Sequence, residues 1–443
     1  MVDERRLGGL LCPYQGGVTR TTLTEAATIW LSSLAGVGRT NVLIPEGTRK
    51  NASTAWVEIT VEPTGLAFEP DPLGTFPLWW FSDDARVVIT SEVKSLSALR
   101  GTRVELDDGA LQHTRRPADF SPFRGVRRVY PGAILRVSPD LEVVEERRTP
   151  LLFEPNSTFA NRSDGIDALD AALVASAHAC SGVAAGPARY GTFLSGGIDS
   201  SLATALIHAY RPDVQTFTLG TELGSEYADA AEVATHFGLA HHRVAADAQD
   251  ALSHFERAVF CNELVDGLTA EIVAQLGVLA AGAATHVQRV VTGYGADLLF
   301  GSMLGHAEYM AATGVDDLRS LIERTCWTGE FAPFYAWSLG VEIHHLFWDP
   351  TVMNTAFRIP AEFNRAGDDH KALLRDMAAE RGHLARGLVR RRKQAMTDGT
   401  QFNRLLSTAL GIEGGYAYHD KSAHCVARLK HVLDRTETKG MAS

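Results

Sequence analysis

The sequence predicts an α/β protein, α+β over its whole length, in which a β-rich sandwich precedes a doubly wound parallel sheet. Three observations predict it. Over residues 1–150, short runs alternate apolar and polar residues between Pro- and Gly-rich turns, the period of half-buried strands. From about residue 165, helix-period stretches alternate with short apolar runs, which implies parallel strands joined by crossover helices. Finally, the apolar run Tyr190-Gly191-Thr192-Phe193-Leu194 enters Ser195-Gly196-Gly197-Ile198-Asp199-Ser200, and Leu202, Ala203 and Leu206 follow at helical spacing. Strand, Gly-rich turn and helix together aim backbone N–H groups and a helix N-terminus at an anion.

The elements follow in order. Strands are predicted at 56–61, 86–90 and 133–137, separated by turns such as Glu69-Pro70-Asp71-Pro72-Leu73-Gly74 and Tyr130-Pro131-Gly132. Pro150, Pro155, Asn156, Ser157 and Thr158 read as a linker, which divides the chain into domains at 1–155 and 165–435. Helices are predicted at 166–179, 228–237 and 270–284, and parallel strands at 190–194, 214–219, 242–244 and 287–292. The C-terminal third reads as helical, with Trp327, Trp337 and Trp348 in its core, and residues 436–443 as a frayed end.

Composition bounds the function. With 443 residues, 45% of them hydrophobic and 21% charged, two soluble domains with full cores are expected. A net charge of −11 argues against nucleic-acid partners, which select a basic surface. No run of eighteen apolar residues exists, so no membrane partner is expected. The N-terminus lacks a signal-type apolar region, and Cys12, Cys180, Cys261, Cys326 and Cys425 are scattered without a Cys-x-x-Cys pair. A reduced, cytoplasmic enzyme is the expectation, with homo-oligomerisation left open.

The loop at 195–200 is not a Walker-type loop, because no Gly-Lys-Ser/Thr follows. Gly196 and Gly197 permit close approach of the backbone to phosphate oxygens, and Ser195 and Ser200 add hydroxyls. Asp199 is a hard oxygen ligand suited to Mg2+. A second strand repeats the logic at Val290-Val291-Thr292-Gly293-Tyr294-Gly295-Ala296-Asp297, where a Gly-x-Gly turn presents another carboxylate. Two aspartates from separate strand ends of one sheet can share one Mg2+ beside a pyrophosphate. The pairs His241-His242 and His344-His345 are adjacent residues whose side chains diverge, so no metal is expected there. Glu263, Asp266 and Glu271 precede or open a helix, with capping and functional roles both open.

With both loops in view, the chain resembles the asparagine synthetase superfamily over nearly its whole length. Asp71-Pro72-Leu73-Gly74-Thr75-Phe76-Pro77-Leu78-Trp79, Ser91-Glu92-Val93-Lys94-Ser95-Leu96 and Val129-Tyr130-Pro131-Gly132-Ala133 are similar to its glutaminase-domain signatures. Phe347-Trp348-Asp349, Ile359-Pro360, Lys371-Ala372-Leu373-Leu374-Arg375 and Arg392-Lys393-Gln394 follow in family order. The resemblance implies a glutaminase-like N-terminal sandwich and an ATP-pyrophosphatase-type synthetase domain using ATP and Mg2+. Glutamine-hydrolysing members carry a cysteine after the initiator Met; here Val2 stands there and Cys12 is displaced, so the N-terminal domain is expected to be a degenerate remnant.

Leu298 replaces the family's usual glutamate, and Tyr294 resembles the β-lactam synthetase and carbapenam synthetase branch, which closes rings by intramolecular amide formation. That branch pairs its tyrosine with a glutamate as a base, a place that Glu330 occupies here by spacing from Asp349. The resemblance makes Tyr294, Glu330 and Lys393 catalytic. It assigns Lys371 and Lys393 to pyrophosphate, and Asp199 and Asp297 to the metal. Leu194, Phe217, Leu219 and Gly293, on or beside the same strands, complete the expected ATP- and pyrophosphate-binding set with Ser195, Gly196, Gly197, Asp199 and Ser200.

The implied reaction converts a small amino-carboxylate substrate to an acyl-adenylate and closes it on its own amine. Structural roles stand beside these: Tyr294 packing over its loop, Glu330 capping a helix or pairing with an arginine, and Lys393 in the solvated run Arg390-Arg391-Arg392-Lys393. The alternative functions are a lasso-peptide cyclase or other amide ligase, and a non-catalytic nucleotide-binding relative. A tRNA-modifying pyrophosphatase is disfavoured by the acidic balance. Where the arginine-using members read a guanidinium with an acid, this chain has Leu321, with Glu323 the nearest substitute. Carboxyethylarginine is therefore not the expected substrate.

Overall fold

In a computed structural model, described for residues 18–440 except 25–26, 33–41, 44–54, 56, 63, 84–85, 99–102, 114–115, 139, 148–157, 183–187, 301–309, 311–316, 366–370 and 390–395, a mixed six-stranded sheet organises the C-terminal half. Five of its strands run parallel in the order His241–Ala246, Gln215–Thr221, Tyr190–Phe193, Arg289–Thr292 and Glu342–His345. The short strand Gly224–Ser225 returns antiparallel against Gln215–Thr221. In chain order, the strands spread outward to one side from Tyr190–Phe193 and then resume on its other side with Arg289–Thr292. That reversal is the switch point at which open α/β sheets bind ligands. Phe193 lies opposite Thr292 across it, so both glycine turns leave the sheet side by side.

Helices enclose this sheet for legible reasons. Arg162–Cys180 is capped by Asn161, whose side chain accepts from Asp164 N–H. Ala248–Asn262 opens with a capping box between Asp247 and Asp250 and ends where Glu263 turns left-handed at φ 54°. Gly267–Ala283 is apolar on nearly every face and buried along almost its whole length, as a helix enclosed by other elements must be. Among the described residues no single helix is long and apolar enough to cross a membrane.

The sequence also anticipates the helices at 166–179, 228–237 and 270–284, which appear as Arg162–Cys180, Tyr227–Phe237 and Gly267–Ala283. It misses the edge strand Glu342–His345, whose two histidines and glutamate dilute any strand pattern to a single Ile343. The terminal helix, Tyr418–Gly440, continues past residue 436, where the sequence predicts fraying. Val2, Cys12, Trp56 and the linker residues Pro150, Pro155, Asn156 and Ser157 lie outside the described residues.

The N-terminal half forms separate antiparallel sheets. One orders Val143–Glu146, Ile134–Val137, Gly65–Pro70, Val57–Glu62 and Val42–Leu43, with only the last pair parallel; another holds Arg86–Thr90, Trp79–Asp83 and Arg127–Arg128. Val57, Leu66, Phe68, Leu135 and Val137 of the first share a core with Trp80, Val87 and Ile89 of the second. Because strand side chains alternate, the neighbouring Trp79 and Val88 point the other way, into a core with Phe255, Val259 and Leu279 of the helical half. The three-stranded sheet is thus buried on both faces.

Polar contacts reinforce that junction. Asp71 lies fully buried, and its carboxylate accepts from Leu73, Thr75 and Phe76 N–H groups, which fixes the turn that carries Gly74. Arg128 donates to Trp327 O at 2.6 Å, and Trp348 Nε1 to Thr75 Oγ1 at 3.2 Å. The Glu263 carboxylate accepts from Val93 N at 2.8 Å and Lys94 N at 2.5 Å. The buried Lys94 ammonium sits 2.9 Å from Glu92 and 3.7 Å from Glu263. Burial alone would lower its pKa, but the two glutamates outweigh that and raise it above the lysine range.

Removing one charge from such a group leaves the others buried and uncompensated. Lys94→Met is expected to cost about 3 kcal/mol, read as a lower urea midpoint with unchanged slope. An unshifted midpoint would mean that the junction does not rely on this lysine.

Candidate active site

The strand Tyr190–Phe193 ends at Leu194, whose N–H donates to Phe217 O at 2.9 Å and whose carbonyl accepts from Thr218 Oγ1 at 2.5 Å. The chain then turns through Gly196 at φ +82° into the helix Ile198–His208. A Cβ on Gly196 would lie 2.6 Å from backbone and side-chain atoms of Asp229, so only glycine fits this approach. Ser195 and Ser200 hydroxyls lie 2.9 Å apart, and Ser200 Oγ also accepts from Ser195 N. Gly197 is the N-cap, and no side chain caps this helix. A cradle of this kind offers first-turn amides to an anion.

The second turn leaves Arg289–Thr292 through Gly293, Tyr294 and Gly295, the last at φ +103°. It presses directly on the first: a Cβ on Gly293 would come within 2.4 Å of Asp199 C and O and 2.6 Å of Ser200 N. The short helix Ala296–Leu299 carries Asp297.

Lys371 bridges the two aspartates. Its Nζ is 2.5 Å from Asp199 Oδ2 and 2.7 Å from Asp297 Oδ1, with the lysine only 1% exposed. Both carboxylates therefore converge on one cationic centre from adjacent strand ends. Asp199 Oδ1 is buried and has no hydrogen-bond partner, an acceptor waiting for a donor or a hard cation. Among the described residues, no group of three or more His, Cys, Asp or Glu side chains could hold a metal alone. Two such carboxylates are hard oxygen donors that would suit Mg2+.

Tyr294 donates its hydroxyl to Glu330 Oε1. The glutamate reaches it because Gly329, at φ +70°, ends the helix Leu318–Thr328 and turns the chain inward. Glu330 is buried, and its other oxygen meets Thr269 Oγ1 at 3.4 Å and Arg324 at 3.5 Å. Burial raises the Glu330 pKa, while Arg324 and the Tyr294 hydrogen bond pull it back. Arg324, 4% exposed, also pairs with Asp266 at 2.5 Å. Asp266 caps Gly267–Ala283 through Thr269 N–H; burial pushes its pKa up, but Arg324 and that N–H hold it below the usual value.

Tyr294 also packs against Phe331 and His345, with ring centroids 5.1 and 5.9 Å away. His345 Nδ1 lies 2.7 Å from Thr292 Oγ1, which accepts from Tyr294 N at 3.2 Å. Burial drives the His345 pKa down to about 3, so the imidazole is neutral.

Not every expected residue reaches this cluster with its side chain. The rings of Phe217 and the side chain of Leu219 are buried in the core; Phe217 stacks on His242 and fills the space over Gly191. Leu194 is likewise a core side chain. Lys393 lies outside the described residues, between Val389 and Met396. His241 meets Thr216, His242 meets Gln215, and His344 approaches Glu342, so the two histidine pairs do diverge. Glu271 is tied to the buried Lys421 at 2.5 Å. Arg324, His345 and Thr292 were not legible as site residues; the only hint was an arginine among Leu321, Ile322, Thr325 and Cys326 on one helix.

The asparagine synthase family model matches residues 169–328 and 335–410, which include every strand of the parallel core and both glycine turns. A carboxyethyl-arginine β-lactam-synthase from Streptomyces clavuligerus is 27% identical over 355 residues, 78% of this chain and 66% of that protein. A glutamine-hydrolysing asparagine synthetase from Bacillus subtilis is 28% identical over 239 residues, 52% of this chain and 36% of its own. A putative asparagine synthetase from Mycobacterium tuberculosis is 29% identical over 287 residues, covering 62% and 42%. The chain thus spans just under two thirds of the first relative and less than half of the others. A solved NMN synthetase from Francisella tularensis is 13% identical, with a TM-score of 0.30 over 62% of this chain and 97% of that one.

Gly293→Ala tests the contact between the turns. A methyl forced against Asp199 and Ser200 is expected to cost about 1–3 kcal/mol and to abolish ATP binding by calorimetry. Retained binding would show that the turns tolerate separation.

Proposed function

The chain belongs to the asparagine synthase family, and from that premise we propose that it is an ATP-dependent, AMP-forming amide ligase that closes a small amino-carboxylate substrate on itself, as a β-lactam synthetase does. The observation that supports this best is the Tyr294 hydroxyl held on Glu330, one turn from Asp297. A tyrosine that merely packed over its loop would need no buried carboxylate.

The chemistry follows from the residues. A carboxylate is a poor electrophile, so it first attacks the α-phosphorus of ATP, and pyrophosphate leaves. The Ser195, Gly196, Gly197 and Ser200 cradle binds that leaving group, with Lys371 and Lys393 neutralising its charge. Asp199 and Asp297 are the residues that would hold Mg2+, which supplies electrostatic relief to the phosphates when bound. The substrate amine then attacks the acyl carbon. Tyr294 accepts the amine proton as its own hydroxyl proton passes to ionised Glu330, and Lys393 stabilises the tetrahedral oxyanion before AMP departs. Holding both reacting ends of one molecule together supplies a large share of the rate.

The site is poorly equipped for an arginine-derived substrate. Leu321 is fully buried in the core, Glu323 pairs outward with Arg319 at 3.2 Å, and Asp266 and Glu330 are both committed to Arg324. A substrate guanidinium would lack a carboxylate there, at a cost of several kcal/mol. The amino-carboxylate is therefore an uncharged or apolar β-amino acid, acting in natural-product assembly in the cytoplasm.

Pyrophosphate release across a panel of β-amino acids and short peptides, with mass detection of loss of one water, tests the reading. Lys393→Ala should abolish amide formation, and Tyr294→Phe should slow it by roughly 10²–10⁴-fold. Wild-type rates in both variants would sink the assigned roles, and efficient turnover of carboxyethylarginine would sink the specificity.

A further inference from the structure

We infer that Arg324 is a positioning residue for the Tyr294–Glu330 pair: its guanidinium holds the glutamate by one oxygen so that the other, ionised, receives the tyrosine hydroxyl. The inference rests on the proposed base role of that pair and adds a residue to it.

The geometry is specific. Arg324 lies on the helix Leu318–Thr328 and Glu330 just past its end, with Gly329 between helix and glutamate. One guanidinium nitrogen reaches Glu330 Oε2 at 3.5 Å, and another reaches Asp266 Oδ1 at 2.5 Å. Asp266 is itself fixed by capping Gly267–Ala283, where Thr269 contributes both the N–H that Asp266 accepts and the hydroxyl that meets Glu330 Oε2. The planar fork of arginine can span two carboxylates on separate elements, which a lysine ammonium on a flexible stem does less well. Glu330 Oε2 is engaged twice, leaving Oε1 to Tyr294.

Charge makes the arrangement consequential. A carboxyl buried like Glu330 tends to keep its proton, and a protonated Glu330 is a poor acceptor for a phenol that must take up another proton. The groups that face it are Tyr294 from the glycine turn, Asp266 and Thr269 from the cap and first turn of Gly267–Ala283, Arg324 and Cys326 from the helix that precedes it, and neutral His345 from the edge strand. Arg116, stacked 4.6 Å over Phe120 and Trp327, approaches Asp266 and Arg324 from the N-terminal half. Arg324 is the cation nearest to Glu330 among the described residues, and Asp266 opposes it more weakly.

Infrared difference spectra, each protein against its own Glu330→Gln counterpart, read the pH at which Glu330 loses its proton without any substrate. In Arg324→Met that midpoint should rise by about one pH unit or more, a tenfold gain in proton affinity, and in Arg324→Lys by less. Should Arg324→Met fail to fold, Arg324→Gln with Asp266→Asn removes both charges, and the midpoint still rises because the arginine effect is the larger. Coincident midpoints in folded variants would overturn the inference. If a substrate is turned over, the acid limb of the amide-forming step should move up in parallel, with partial return in Arg324→Lys. Failure to find any amide-forming substrate would count against the proposed function alone, since the spectra do not need turnover.

Discussion

The close approach of two turns at the point where strand order reverses is the constraint on which this site depends. Gly293 lies against the backbone of Asp199 and Ser200 with no room for a side chain. That contact sets the spacing between a helix N-terminus without a side-chain cap and the short helix bearing Asp297. Lys371 then needs to satisfy only one geometry to reach both carboxylates. The strand register, Phe193 opposite Thr292, supplies the alignment, and the glycines supply the proximity.

Apolar burial builds the walls of this molecule, but its buried charges decide how the walls meet. Lys371 joins Asp199 to Asp297, Arg324 joins Asp266 to Glu330, Lys94 joins Glu92 to Glu263, and Lys421 holds Glu271. Each cation comes from a different element than at least one of its carboxylates. Well-packed apolar residues would give comparable stability at such places, so the charged groups are better explained by register and chemistry than by stability. Of these four groups, only that of Lys371 includes a residue of the turn at 195–200.

Much of the fold was legible because its periods are strong. The short apolar runs at 190–194, 214–219 and 287–292 are bounded by turn residues, and the structure places strands there with ends shifted by no more than two residues. Glu342–His345 escaped because an edge strand beside polar neighbours need not be apolar. At the site, residues carried by local motifs were legible: Ser195, Gly196, Gly197, Asp199, Gly293 and Asp297 all derive their meaning from immediate neighbours. Glu330 was reached only by spacing. Arg324 and His345 carry no local signature, since their roles arise from helices and strands that converge from far apart in the chain. The side chains of Phe217 and Leu219, on the neighbouring strand, are core, a packing that nearness to a strand end does not reveal.

The three-stranded sheet around Trp79–Asp83 has a consequence for how this chain can change. Trp80, Val87 and Ile89 serve one core while Trp79 and Val88 serve another, so the sheet works as a shared partition between two compartments. Its backbone walls the half that carries the two glycine turns. Deletion of the sheet would strip cladding from Phe255, Val259 and Leu279 and invite aggregation.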